Sequence, residues 1–152
     1  MKRVFALALT LVMALSLAAC GGDTQTSGDT STDDTASGDG QTYTVGIIQQ
    51  MQHEALDAAT EGFQAALTEK LGDSVTIEFE NASGDPSNYS TIANNFVSQG
   101  VDLIMANGTT ALQAAATGTS TIPILGTSIT EYGVALGIDG FTGTTGFNVS
   151  GT

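Results

Sequence analysis

Cysteine is almost missing from this chain. Cys20 stands alone, so no intrachain disulfide can form and no cysteine-based zinc site can be built. Histidine is as scarce, with His53 the single example. Metal chemistry would have to rest on oxygen ligands, and no clustered Asp/Glu loop of the EF-hand kind occurs. Basic residues are few: 3 Lys and Arg stand against 16 Asp and Glu, for a formal net charge of −13. So acidic a surface repels nucleic-acid phosphates and anionic lipid headgroups, which sets aside nucleic-acid binding and a polybasic membrane contact. Its plain use is to keep a secreted domain in solution.

The signatures of nucleotide-binding and hydrolytic enzymes are missing too. No Gly-x-Gly-x-x-Gly follows the first strand, no Gly-x-x-x-x-Gly-Lys exists, and there is no Gly-x-Ser-x-Gly elbow. A receiver domain needs paired acids after its first strand and a basic partner. Gln49 and Gln50 hold that place here, and Lys70 is the only lysine beyond Lys2. With no nucleophile–base pair in view, an enzyme is not expected, and no cofactor or metal is implied.

What is present begins at the N-terminus. Lys2 and Arg3 precede an apolar run, Val4 to Leu17, broken only by Thr10 and Ser16. A positive start, a short apolar stretch and small residues at its end mark residues 1–19 as a secretory signal peptide. The run is too short for a comfortable permanent span. It ends in Leu17-Ala18-Ala19-Cys20-Gly21, which resembles the bacterial lipobox. Small alanines enter a peptidase site, and the thiol takes up a diacylglyceryl group as a thioether. Cys20 is therefore the expected lipidation site, placing the protein outside the cytoplasm on a membrane anchor. Each buried methylene of such a chain contributes roughly 0.8 kcal/mol, and two or more chains hold durably. Residues 20–40 continue, after Cys20 itself, as an acidic linker of Gly, Ser, Thr, Asp and Gln with a single alanine. Such a composition cannot bury enough apolar surface to fold, and it reaches about 25 Å.

Residues 41–152 suffice for one compact domain and not for two. Apolar and β-branched runs predict strands at Thr42–Gln49, Val75–Glu80, Val101–Ala106 and Ile122–Leu125. Between them, apolar stripes at helical spacing predict helices over Glu54–Leu71, from Pro86 or Ser87 to Gln99, and over Thr109–Thr117, with Gly72 and Gly100 as stops. Apolar strands alternating with amphipathic helices predict an α/β fold, a doubly wound parallel sheet covered on both faces. After Gly126 the pattern dissolves into Gly- and Thr-rich sequence.

Ligands of open α/β sheets bind beyond the carboxyl ends of the strands. Four polar segments should meet there: Gln49 to His53, Asn81 to Asp85, Asn107 to Thr110 and Thr127 to Glu131. In Asn107-Gly108-Thr109-Thr110, a tight turn opens a helix with two hydroxyls beside its free N–H groups. That arrangement suits a carboxylate, and it equally suits plain capping by Asn107 or Thr109. His53 is a candidate ligand contact or a capping residue. Asp85 and Glu131 are candidate partners for an ammonium group, or ordinary residues of turns and caps.

Several stretches together carry a family resemblance. They are Val45-Gly46-Ile47-Ile48-Gln49, His53-Glu54-Ala55-Leu56-Asp57-Ala58-Ala59, Gly62-Phe63, Asn81-Ala82-Ser83-Gly84-Asp85, Phe96-Val97 and Val101-Asp102-Leu103-Ile104. Ala111 to Ala116, Ile122-Pro123-Ile124 and Asn148-Val149-Ser150-Gly151-Thr152 continue them. The chain resembles the substrate-binding proteins of ABC transporters, in particular the TrpX-like family. The resemblance implies one lobe of a type I periplasmic-binding-protein-like fold. It implies capture of a small solute, an amino acid and in particular an aromatic one, between two lobes, and delivery to an ABC permease with its ATPase. It also implies that Gln50 and His53 border the cleft, that Gly108, Thr109 and Thr110 receive the ligand carboxylate, and that Thr127 and Ser128 line the cleft beside them. Glu54 replaces a usual proline, and Thr130-Glu131-Tyr132 replaces a common Thr-Asp-Pro. Members continue past the point corresponding to Thr152 through a second lobe, so residues 41–152 are expected to be the first lobe alone, a fragment or a truncated product. An alternative use of the same lobe is sensing, with the ligand reported to a membrane receptor.

Overall fold

The structure is a computed structural model that describes residues 40–152; the expected signal peptide, Cys20 and the linker up to residue 39 lie outside the described residues. Tyr43–Gln49 forms strand β1, and its residues from Val45 onward are buried. That burial follows from its place between two partners in a five-stranded sheet of order β2-β1-β3-β4-β5. The partners are β2 (Val75–Asn81) and β3 (Leu103–Asn107), followed by β4 (Ile124–Thr127) and β5 (Val149–Gly151). Every pairing is parallel, with Ile47 opposite Phe79 on one side and Met105 on the other. Helices α1 (Glu54–Leu71), α2 (Pro86–Gln99), α3 (Thr109–Gly118) and the short α4 (Tyr132–Leu136) provide the crossovers, and a 3-10 turn at Gly72–Ser74 follows α1.

Local chemistry sets the helix ends. Asp85 caps α2 with Pro86 at the first helical position, where a missing N–H costs nothing. Gly100 closes the helix at φ 69°, and its N–H returns to Phe96 and Val97 carbonyls. The third strand begins later than the expected Val101, because Val101 N–H turns back to Phe96 O at the end of α2 and the pairing with β1 opens with Leu103 opposite Val45. The fourth is displaced from the expected Ile122–Leu125 to Ile124–Thr127. Pro123 has no N–H for the ladder, although its carbonyl accepts from Ile104 N–H, so the strand starts after it.

The two faces of the sheet differ. Ile48, Ile104, Ala106, Ile124 and Val149 share a core with Tyr89, Ile92, Ala93 and Phe96 of α2, Ala111, Leu112 and Ala115 of α3, and Ala135 of α4. Phe96 lies so close to β1 that a Cβ on Gly46 would stand 2.6 Å from its ring. Strand alternation turns Val45, Ile47, Gln49, Met105 and Asn107 to the other face, where α1 lies. Only Thr60 of α1 is fully buried, while Leu56, Ala59, Phe63 and Leu67 are half-buried and Ala66 is exposed. Among the described residues no helix is long and apolar enough to cross a membrane, and no group of three or more His, Cys, Asp or Glu is placed to hold a metal ion.

Candidate ligand-binding site

Because all five strands run parallel, their carboxyl ends share one edge, and the four polar connections emerge along it. Hydrogen bonds join them in sequence. Gln50 N–H donates to Asn107 O at 2.9 Å, Gly84 N–H donates to Gln50 O at 3.0 Å, and Gly108 N–H donates to Thr127 O at 3.0 Å. Tyr89 adds its hydroxyl to Gln50 O at 3.0 Å. Burial raises the Tyr89 pKa, with the Asp85 carboxylate adding to the effect, so the hydroxyl keeps its proton and remains a donor. Gln50 is thus the hub, and it sits where strand order reverses between β1 and β3. Ligand crevices of open α/β sheets form at such a reversal.

Gly108 makes the third connection possible. Its φ is +109°, and a Cβ there would meet Gln50 Oε1 at 2.6 Å. The Gln50 carbonyl instead reaches across and accepts from Thr110 N–H at 3.1 Å, in the first turn of α3. The helix cap is Gly108, which offers no side-chain bond. Neither side-chain cap expected from the sequence is used. Thr109 is the first helical residue, and Asn107 points inward, donating to Leu56 O and to Thr60 Oγ1. A donor turn of α3 therefore faces the rim with one of its N–H groups held by a neutral amide oxygen.

His53, Asp85 and Glu131 all serve as helix caps. His53 Nδ1 accepts from Ala55 N–H at 3.2 Å and starts α1. Asp85 Oδ1 accepts from the hydroxyl and the N–H of Ser87. Those bonds, the hydroxyl first, hold its carboxyl below the ordinary range. Glu131 gives one carboxylate oxygen to Gly133 N–H and the other to Val134 N–H, capping α4. Thr127 ends β4 half-buried, and Ser128 follows exposed at φ 58°. The structure thus links Gln50, Gly108, Thr110 and Thr127 directly. It sets His53, Asp85, Ser128 and Glu131 at the mouths of the same connections, each engaged or turned locally. Three further polar residues, Gln49, Thr60 and Asn107, lie buried beneath the rim, and nothing in the sequence marks them as a group. Their one local sign is a glutamine closing one apolar strand and an asparagine closing another. The concavity between α2 and α3, about 310 Å³, touches the rim connections only through Thr110 and the adjoining Pro86.

A parallel sheet with four polar connections hydrogen-bonded along one edge, and a strand-order reversal between β1 and β3, is the α/β arrangement in which ligands bind at the carboxyl ends of the strands. The model of the ABC transporter substrate binding protein family matches residues 44–152, and this chain belongs to that family. A tyrosine-binding protein of Clostridioides difficile is 35% identical over 99% of the chain, which spans 44% of that relative. A ligand-free, open substrate-binding protein with adhesive properties from Clostridium difficile is 40% identical, at TM-score 0.65 over 72% of this chain and 38% of its own. An ABC domain from Streptococcus pneumoniae in complex with L-Trp is 31% identical, at TM-score 0.68 over 74% of this chain and 38% of its own. The chain therefore spans less than half the length of these relatives, and the likeness establishes a periplasmic-binding-protein-like lobe.

Proposed function

We propose that this lobe forms one wall of a cleft that captures a small solute, an amino acid with an aromatic side chain, for an ABC importer. The observation that carries the reading is the linkage of three connections through Gln50 and of the fourth through Gly108 N–H and Thr127 O, all on one edge. Relatives described as tyrosine-binding and as bound to L-Trp support the ligand class. In this reading the α3 start at Gly108, Thr109 and Thr110 receives the ligand carboxylate, because the positive helix end favours an anion and the Thr110 N–H, held by the neutral Gln50 amide oxygen, can pass to a charged acceptor. Gln50 and His53 border the ligand, Thr127 and Ser128 line the wall beside it, and Asp85 or Glu131 answers the ammonium. The remaining wall comes from a second lobe, as the length of the relatives suggests. Delivery to an ABC permease with its ATPase, an extracytoplasmic location and a lipid anchor on Cys20 belong to the same proposal. The sensing alternative finds no support in the relatives matched.

Titration calorimetry on the full-length protein against the common amino acids tests this. Saturable binding of L-tryptophan or L-tyrosine is expected, and no heat from any amino acid would overturn the assignment.

A further inference from the structure

Directly beneath the rim, on the α1 face, three polar side chains are shut away from solvent: Gln49 at 1% exposure, Thr60 at 3% and Asn107 at 0%. They bond to one another. The Thr60 hydroxyl donates to Gln49 Oε1 at 2.7 Å, and Asn107 Nδ2 donates to Thr60 Oγ1 at 2.9 Å. Branches run outward to the backbone and to α1. Gln49 Nε2 donates to Met51 O at 3.0 Å and to Asp57 Oδ1 at 2.6 Å, while Asn107 Nδ2 also donates to Leu56 O at 2.7 Å. The cluster therefore ties together the last residue of β1, the opening turns of α1 and the last residue of β3. From those three pieces spring the connections that hold Gln50, His53 and Gly108.

Stability alone does not account for such a cluster. A buried amide must replace every bond it had to water, and Asn107 Oδ1 finds no protein partner among the described residues. Apolar side chains of similar volume would dock α1 on the sheet at least as well, as they do on the opposite face. What hydrogen bonds add over apolar contacts is direction, and they add it one residue away from the rim. We infer that Gln49, Thr60 and Asn107 are positioning residues that fix Gln50 against Gly108 and so set the affinity of the site. The inference rests on the proposed function for its ligand, but not for its geometry.

The test compares Thr60→Val, which removes the hydroxyl at nearly constant volume, with Thr60→Ser, which keeps it, in the full-length protein. Hydrogen exchange at Gln50, Gly108 and Thr110 amides is expected to quicken about tenfold in Thr60→Val, while Ile48 and Ile104 amides hold their rates. Affinity for L-tryptophan and L-tyrosine should fall about tenfold in the same variant. Thr60→Ser should restore both readouts, and Gln49→Met should repeat the loss should Thr60→Val fail to fold. Unchanged rim exchange, or unchanged affinity in a variant whose rim has loosened, overturns the inference. If the wild-type protein binds neither amino acid, the ligand assignment fails and the exchange comparison decides alone. Loosening confined to the rim then supports the positioning role, and uniform rates reject it.

Discussion

The face of the sheet under α2, α3 and α4 is covered by buried apolar helix residues, whereas the face under α1, which buries Val45, Ile47 and Met105 of the strands, carries a cluster of buried polar side chains as well. On the first, Phe96 lies against Gly46, and Ile48, Ile104 and Ile124 meet Leu112 and Ala115 in an apolar core. On the second, α1 buries a single residue completely, and that residue is a threonine engaged by Gln49 and Asn107. Apolar contact is strong but without direction, so it can hold a lobe together while leaving loops free to settle. Directional bonds hold less tightly for the area they occupy, yet they fix where the chain leaves each strand. The difference teaches a division of labour: apolar burial on both faces supplies the stability of the lobe, most of it under α2 and α3, and the polar cluster on the α1 face sets the geometry of its rim.

Substitutions can break this comparison. The largest effect is expected from Phe96→Ala, which should lower unfolding free energy by about 3–5 kcal/mol in urea titrations. Gly46→Ala should cost about 1–3 kcal/mol by forcing the Phe96 ring away from β1. A loss near zero at either position would mean that the apolar face is not the source of stability. On the α1 face, a double-mutant cycle between Thr60 and Asn107 should reveal a coupling of about 0.5–3 kcal/mol. Additive losses would show that the cluster does not act as a unit.

At the rim, Gln50→Ala should cost only about 0.5–1.5 kcal/mol of stability, since Thr110 N–H regains water. Its loss of L-tryptophan affinity in calorimetry should be disproportionate to that small change. The smallest effect concerns Asp85. Its carboxyl titrates lower in the folded protein than the ordinary value of 3.8. Its capping contribution is therefore complete above that value and is lost as pH falls through the lower folded one. Asp85→Asn keeps a capping oxygen without the charge. Acid melting curves of the variant should accordingly be flatter than those of the wild type over this range.

Much of the lobe was legible before any coordinates. The span of α1 and the start and end of α2 follow from stripes and stops that the residues state locally, with Asp85, Pro86, Gly72 and Gly100 as punctuation. Strands β1 to β4 are legible too, with end shifts where backbone commitments at Val101 and Pro123 intervene. Helix α4 and strand β5 were not legible. Five and three residues carry no period, and they exist because Glu131 caps the one and β4 pairs with the other. The rim was legible as polar sequence following apolar strands. The position of Asn107 was not, since an asparagine before a helix reads as a cap, and only the packing of α1 shows it turned inward.

Hydrogen exchange of the full-length protein with and without saturating L-tryptophan tests the central claim most directly. Slowed exchange is expected together in residues 49–53, 81–85, 107–110 and 127–131, greatest around Gln50 and Thr110, with the rest of the groove between α2 and α3, from Ser90 to Asn94 and Gln113 to Gly118, unaffected. Protection centred on that groove, or on the stretch from Phe141 to Phe147, with the four connections unchanged, would contradict it.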